Sequence, residues 1–168
     1  MKKTALLLAL ALCTGNSYAA SLLQSRAEQV TSIPITNGVT VNQKQLFSVC
    51  SKITADTAVQ VNAQSEVTNP YSFNVGIGYV IKAWDYYVDD AGASTFIRSY
   101  NAIPAVMSNA TPAEHHYIVN VAAAEKVSYA SNANTRCYTL VAWAVSSSGS
   151  GDIIVQQGYG YLQVVTLN

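Results

Sequence analysis

Two neighbouring stretches, AVQVNAQSEV at 58–67 and YSFNVGIGYVIKA at 71–83, run through apolar and polar residues with a period of two. Successive side chains on a strand point to opposite faces, so this period selects strand over helix. In the first stretch Val59, Val61, Ala63 and Val67 share one face, and Gln60, Asn62, Gln64 and Glu66 share the other. In the second, Tyr71, Phe73, Val75, Ile77, Tyr79, Ile81 and Ala83 fall on one face. Asn69-Pro70 supplies a turn between them. The opposite face of the second stretch starts with Ser72, Asn74, Gly76 and Gly78, then changes to Val80, Trp84, Tyr86 and Val88. A strand with one wet face should not change character midway. The pattern therefore predicts a bulge or bend near Gly78, or a second half buried on both sides.

The same period recurs along the chain. Ser94–Tyr100 reads as a return strand and Tyr117–Val121 alternates again. CYTLVAWAV at 137–145 places Cys137, Thr139, Val141, Trp143 and Val145 on one face. Residues 153–167 read as a closing strand interrupted by Gly158 and Gly160. Residues 102–113, with Pro104 and Pro112, read as a loop, and 122–136 mixes helix-friendly AAAEK with loop-like SNANTR. Eight to ten short strands with turn signals between them predict an all-β, antiparallel β-sandwich or jelly roll. In size, and in its final GYGYLQVV, the chain resembles jelly-roll domains of the C1q and tumour-necrosis-factor type, an architectural resemblance without a diagnostic motif. An eight-stranded membrane barrel competes on length, but a predicted disulfide and long continuous apolar runs oppose it.

The chain opens MKKTALLLALALCTGNSYAA. Lys2 and Lys3, the apolar run Ala5–Leu12, and Ser17-Tyr18-Ala19 form a secretory signal peptide over residues 1–19. The apolar run is too short to span a bilayer, which takes about 20 residues. Cys13 would suit a lipoprotein, but Leu12 stands where a small residue belongs. Residues 20–36 form a lead-in. Leu23, Ala27 and Val30 have helical spacing there, which would allow a short helix that Pro34 ends. Residues 37–168, opening with the Asn37-Gly38 turn signal, form a single β-sandwich domain. The two cysteines beyond the leader, Cys50 and Cys137, are 87 residues apart. In an exported protein they should pair, joining strands distant in sequence.

Charged residues make up only 11% of the chain. Loss of Lys2 and Lys3 with the leader takes the nine basic residues to seven, against nine acidic ones. No basic patch remains, so no nucleic-acid partner is expected. A surface so poor in charge must be built from Ser, Thr, Asn and Gln, or must meet a partner. There is no GxSxG, HExxH, GxxxxGK[ST] or GxGxxG motif, so no catalytic residue and no cofactor is assigned. His115 and His116 are adjacent and would point apart on a strand. Even with Glu114 they make a poor metal site.

WDYYVDDAG at 84–92 concentrates aromatics and carboxylates. Asp85, Asp89 and Asp90 do not follow the ordered spacing of a calcium loop. Asp89–Gly92 reads as the tip of an antiparallel hairpin. Trp84, Asp85, Tyr86 and Tyr87 are the candidate ligand-binding residues, because aromatic rings offer large contact area at little entropic cost. Alternation places Trp84 and Tyr86 on one face, expected to enter the core, with Asp85 and Tyr87 opposite. The sequence thus predicts an exported bacterial protein, secreted or periplasmic, with a binding or interaction role toward protein or carbohydrate. Two alternatives stand beside it: a small secreted hydrolase with a loop-built site, and an oligomerising structural subunit of a surface or extracellular assembly.

Overall fold

The computed structural model describes residues 21–25, 31–35, 43–111, 117–147, 149 and 151–167. Ten strands account for most of them: β1 (Ser21–Ser25), β2 (Thr31–Ile35), β3 (Lys44–Ser51), β4 (Ala58–Thr68), β5 (Val75–Val88), β6 (Ser94–Asn101), β7 (Val106–Ala110), β8 (Tyr117–Lys126), β9 (Thr135–Ser147) and β10 (Gly151–Leu167). Their pairing is nested. β2 pairs β10, β3 pairs β9, β4 pairs β8 and β5 pairs β6, all antiparallel. This is the ladder of one long hairpin whose tip is the β5–β6 turn. Rolling that hairpin up sets β10 beside β4 and β9 beside β5. Two five-stranded sheets result. In the first, β1 and β2 both edge β10, followed by β4 and β8; in the second the order is β3, β9, β5, with β6 and β7 both edging β5. This is the jelly-roll arrangement of two packed antiparallel sheets.

The inner faces follow the alternation of the sequence. Val59, Val61, Ala63, Leu162 and Val164 of the first sheet meet Ile77, Tyr79, Ile81, Tyr138 and Leu140 of the second, all at most 2% exposed. Each such side chain contributes about 1.5–3 kcal/mol relative to an exposed one. Cys50 faces Cys137 directly across β3 and β9, and the two form a disulfide. The bridge lies on the outer face of its sheet, because Val49 and Tyr138, one residue away on each strand, pack on the core.

β5 keeps one face inward along its whole length. Its register on β9 shifts between Gly76 and Ile77, so an irregularity does lie close to Gly78. The odd-numbered series Val75–Ala83 nevertheless stays in the core, and no exchange of faces occurs. Val75–Ile81 is instead buried on both sides. Gly78 faces outward beneath Trp143, whose ring would lie 2.4 Å from a Cβ built at that position. The covered half of the strand is thus the first half rather than the second.

The β5–β6 hairpin closes as the sequence predicts. Gly92 adopts φ +84°. Its N–H donates to the Asp89 carbonyl, and the Asp89 carboxylate accepts from the Ala93 N–H at 2.8 Å. Three local expectations are corrected. Ser21–Ser25 is a strand on β10 and not the start of a helix, because edge pairing supplies hydrogen bonds that an isolated turn of helix lacks. Pro34 lies within β2, an edge strand, where its missing N–H is tolerated. Val106–Ala110, read as loop because of its flanking prolines, adds a short strand to β5. The expected signal peptide over residues 1–19, Asn37-Gly38, Glu114, His115 and His116 lie outside the described residues.

Candidate functional site

A groove of about 390 Å³ opens on the outer face of the second sheet. Its floor is the Cys50–Cys137 bridge, and Trp84 sits beside Cys137 in the β5–β9 register. Trp84 and Tyr86, two residues apart on β5, form one wall, with Val88 beyond them. The remaining lining is uncharged and polar: Ser48 and Thr139 share a hydrogen bond of 3.1 Å, and Gln45, Ser94 and Thr135 complete the border.

Phe96 orients both wall aromatics. Its ring meets Trp84 at a centroid distance of 6.0 Å and an angle of 61°, and Tyr86 at 5.9 Å and 68°. Edge-to-face contacts of this kind add about 0.5–1.5 kcal/mol beyond simple burial. Phe96 is itself 52% exposed. At the other end of the wall, Lys82 Nζ stands 5.9 Å above the Trp84 ring and donates to Gln43 Oε1 at 2.7 Å. The Val88 backbone is clamped by Asn134, whose amide donates to the Val88 carbonyl at 2.8 Å and accepts from its N–H at 2.9 Å.

Beneath this wall, on the inner side of the same strands, lies a buried ionic cluster. Asp85 and Arg136 are both fully buried, and the Arg136 Nε donates to Asp85 Oδ1 at 2.6 Å. The other Asp85 oxygen accepts from Arg98 Nε at 2.6 Å. The Arg136 guanidinium also donates to Glu125, to the Tyr100 hydroxyl and to the Ser128 carbonyl. The hydroxyls of Tyr100 and Tyr138 donate to Glu125. The rings of Tyr100 and Tyr129 each stand 5.3 Å from the guanidinium carbon of Arg136.

The charges shift the neighbouring groups. Burial, reinforced by the hydrogen bond to Glu125 and by its charge, raises the Tyr100 and Tyr138 phenols above their ordinary value of 10.0, while Arg136 pulls the other way. Burial also raises Tyr129, against its hydrogen bond with Ile53 and the charge of Arg136. Burial alone would lower Arg136; Glu125, then Tyr100, Tyr138 and Asp85, raise it above its usual value. The arrangement neutralises charge inside the sandwich. Each carboxylate oxygen of Asp85 is occupied by an arginine, which leaves the group poorly placed for acid–base work.

The four candidate residues are therefore split by the strand. Trp84 and Tyr86 line the groove, Asp85 is sealed in the interior, and Tyr87 is 38% exposed on the side of Asp85. The expectation that Trp84 and Tyr86 enter the core is corrected. The register is set upstream, where Tyr79, Ile81 and Ala83 take the inner face, and parity then sends Asp85 inward. Size alone would favour burying Trp84, but Arg136 opposite Asp85 makes the charged residue acceptable inside. Phe96, Ser48 and Thr139 were not singled out from sequence. The alternation of STFIRSY offered a signal for Phe96, but its meeting with Tyr86 depends on a register shift between Asp85 and Tyr86 against β6.

A second, more polar depression of about 240 Å³ lies on the first sheet, bordered by Asn62, Asn120, Tyr161 and Gln163. Among the described residues no group of three or more His, Cys, Asp and Glu side chains is placed to hold a metal ion. No described helix is long and apolar enough to cross a membrane.

No family model matches the chain, and no curated protein matches it. Among solved structures it is similar to that of the Gx strain of infectious bursal disease virus, with 14% identity and a TM-score of 0.45 over 89% of this chain and 38% of the viral one. It is also similar to the VP2 subviral particle of infectious bursal disease virus, with 13% identity and a TM-score of 0.26 over 90% of this chain and 42% of that one. The chain thus spans less than half the length of these viral chains. The jelly-roll assignment rests on the strand order above and not on these likenesses.

Proposed function

We propose that the protein is an exported interaction module whose ligand, protein or carbohydrate, docks on the groove walled by Trp84 and Tyr86. One observation carries this reading. Two large aromatics stand on the outer face of a sheet whose core is already filled from the other side, and they border a concavity. Aromatic side chains in such a place supply binding area without a packing role in the core. The uncharged composition agrees with a surface meant to be covered. The buried, arginine-bound Asp85 supports a binding reading over a hydrolase.

The chain has two tryptophans. In a Trp143→Phe protein, Trp84 is therefore the sole indole reporter. Ligand added to that protein should shift its emission. Trp84→Ala should abolish binding with little change in Tm. Binding undiminished by Trp84→Ala together with Tyr86→Ala would place the ligand elsewhere.

A second reading, an oligomerising structural subunit, is supported by the other end of the same sheet. There Met107 is 58% exposed, paired across from Gly78 and close to Trp143. Sedimentation over a range of concentrations tests it. A mass that rises with concentration and returns to that of one chain in Met107→Lys would favour assembly.

A further inference from the structure

Resting on that reading of the groove, we infer that its occupant is an uncharged carbohydrate chain lying across Trp84 and Tyr86. The lining decides the charge. Every polar side chain that borders the cavity is uncharged: Ser48, Thr139, Thr135, Ser94 and Gln45, beside the indole N–H of Trp84 and the phenol of Tyr86. An ionic ligand would give up hydration there without gaining an opposite charge, at a cost of several kcal/mol for a buried ion. Lys82, which stands over the Trp84 ring and donates to Gln43, is not part of the lining.

The same lining fits hydroxyl groups. Serine and threonine both donate and accept, and the glutamine amide does each with a different atom. A sugar ring also carries an apolar C–H face, and such faces stack on indole and phenol rings. Trp84 and Tyr86 present two rings in series along one strand. A polymer of repeating rings suits that row better than a single small molecule does.

The site is also held in place before a ligand arrives. Phe96 packs edge-on against both rings. The disulfide ties β3 to β9 at the floor, and Asn134 fixes the end of β5. Little side-chain freedom remains to be lost on binding. A protein partner would ordinarily cover about 800 Å² on this side. It would have to spread well beyond the groove.

The test is native affinity electrophoresis of the exported protein with its disulfide intact. The gels contain soluble neutral polysaccharides (a mixed-linkage glucan, a xylan and a mannan) or the anionic alginate and polygalacturonate. At least one neutral polymer should retard the wild-type and Trp143→Phe proteins. Trp84→Ala and Tyr86→Ala should each weaken that retardation by about tenfold or more, with the fold retained and Tm lowered only by the loss of the contacts with Phe96. Should Trp84→Ala fold poorly, Tyr86→Ala and competition by short neutral oligosaccharides against the wild-type protein serve the same end. No retardation by any neutral polymer, or stronger retardation by the anionic ones, would overturn the carbohydrate assignment. If a purified protein ligand then shifts Trp84 emission and loses binding in Trp84→Ala, the groove reading survives alone. Retardation that persists in the Trp84→Ala, Tyr86→Ala double variant would overturn both.

Discussion

Asp85 and Arg136 face each other across β5 and β9 inside the sandwich, and their chain neighbours Trp84, Tyr86, Thr135 and Cys137 line the groove outside it. The inner ion pair and the outer groove are two faces of the same three residue pairs. Whatever holds Asp85 to Arg136 therefore also holds the backbone that carries Trp84 and Tyr86. The pair is deeply desolvated, so its net contribution to stability is small compared with what its disruption would cost.

Removing one partner of that pair should be severe. Asp85→Asn leaves Arg136 with Glu125 but unbalances a guanidinium that is fully buried. Arg136→Met leaves Asp85 with Arg98, whose side chain is 41% exposed, as its charged partner beside the Ala130 N–H. Each should lower stability in urea by about 3–5 kcal/mol. Arg98→Ala, acting on the exposed side of the cluster, should cost about 1 kcal/mol or less. Equal losses for Arg98→Ala and Arg136→Met would show that the two arginines share the charge evenly.

Alkaline pH should loosen the same region. The folded-state pKa values of Tyr100, Tyr129 and Tyr138 are raised above the ordinary 10.0. Above pH 10 the unfolded chain loses these phenolic protons while the native state keeps them. The unfolded state then binds fewer protons, so the stability of the fold falls as pH rises from 10 through the folded values. Below pH 10 the contribution is fully present. Near-ultraviolet titration should show phenols, these three among them, that ionise above the ordinary range, and Tyr138→Phe should flatten the alkaline slope. Normal titration of every tyrosine in the folded protein would contradict this account.

How much of this was legible in the sequence depends on which force decides each feature. The strand faces of β4 and β9 are set by alternation, which is local, and they read correctly. The partnership of Cys50 with Cys137 followed from export chemistry and an even count. The assignment of faces at Trp84 did not read correctly. It required knowing that Arg136 would stand opposite Asp85, a contact between strands 51 residues apart. Phe96 joined the groove through a register shift that no local pattern encodes. The β7 strand was hidden by prolines that flank it without interrupting it.

The disulfide should matter to stability more than its place on the outer face suggests. Cys50 and Cys137 sit in register and close a long loop. Chain-entropy arguments give about 4–5 kcal/mol for a loop of this length, with native strain and residual unfolded structure reducing the yield. Replacing both cysteines by alanine should lower the urea midpoint to that of the reduced wild-type protein. Non-reducing mass spectrometry should find both thiols blocked to alkylation. Free alkylation of either in the purified protein would remove the bridge from the account.

The tip of the hairpin offers a cleaner backbone test. Gly92 has a positive φ, yet nothing lies within 4 Å of the position its Cβ would take. Gly92→Ala therefore carries only conformational strain, about 1–2 kcal/mol. Gly92→Asn should cost less, because asparagine tolerates the left-handed region. Thermal unfolding distinguishes them, and a neutral Gly92→Ala would mean that the turn relaxes to another type.

Gly78 presents the opposite case, since space and not φ fixes it. A Cβ there would lie 2.4 Å from two ring carbons of Trp143, directly across β5 and β9. The indole is a rigid plate, so it can give way only as a whole. Gly78→Ala should then destabilise the protein by about 1–3 kcal/mol, as overpacking does. Trp143→Ala removes the obstacle and should cost stability through lost cover over the sheet. In the double variant the alanine methyl occupies space that the indole has vacated. The two losses should fall short of additive by about 1 kcal/mol or more, as expected for residues in contact. Urea unfolding of the four proteins completes the cycle. Strict additivity would show that Trp143 does not lie over Gly78 in solution, and would return the outer face of β5 to solvent along its first half.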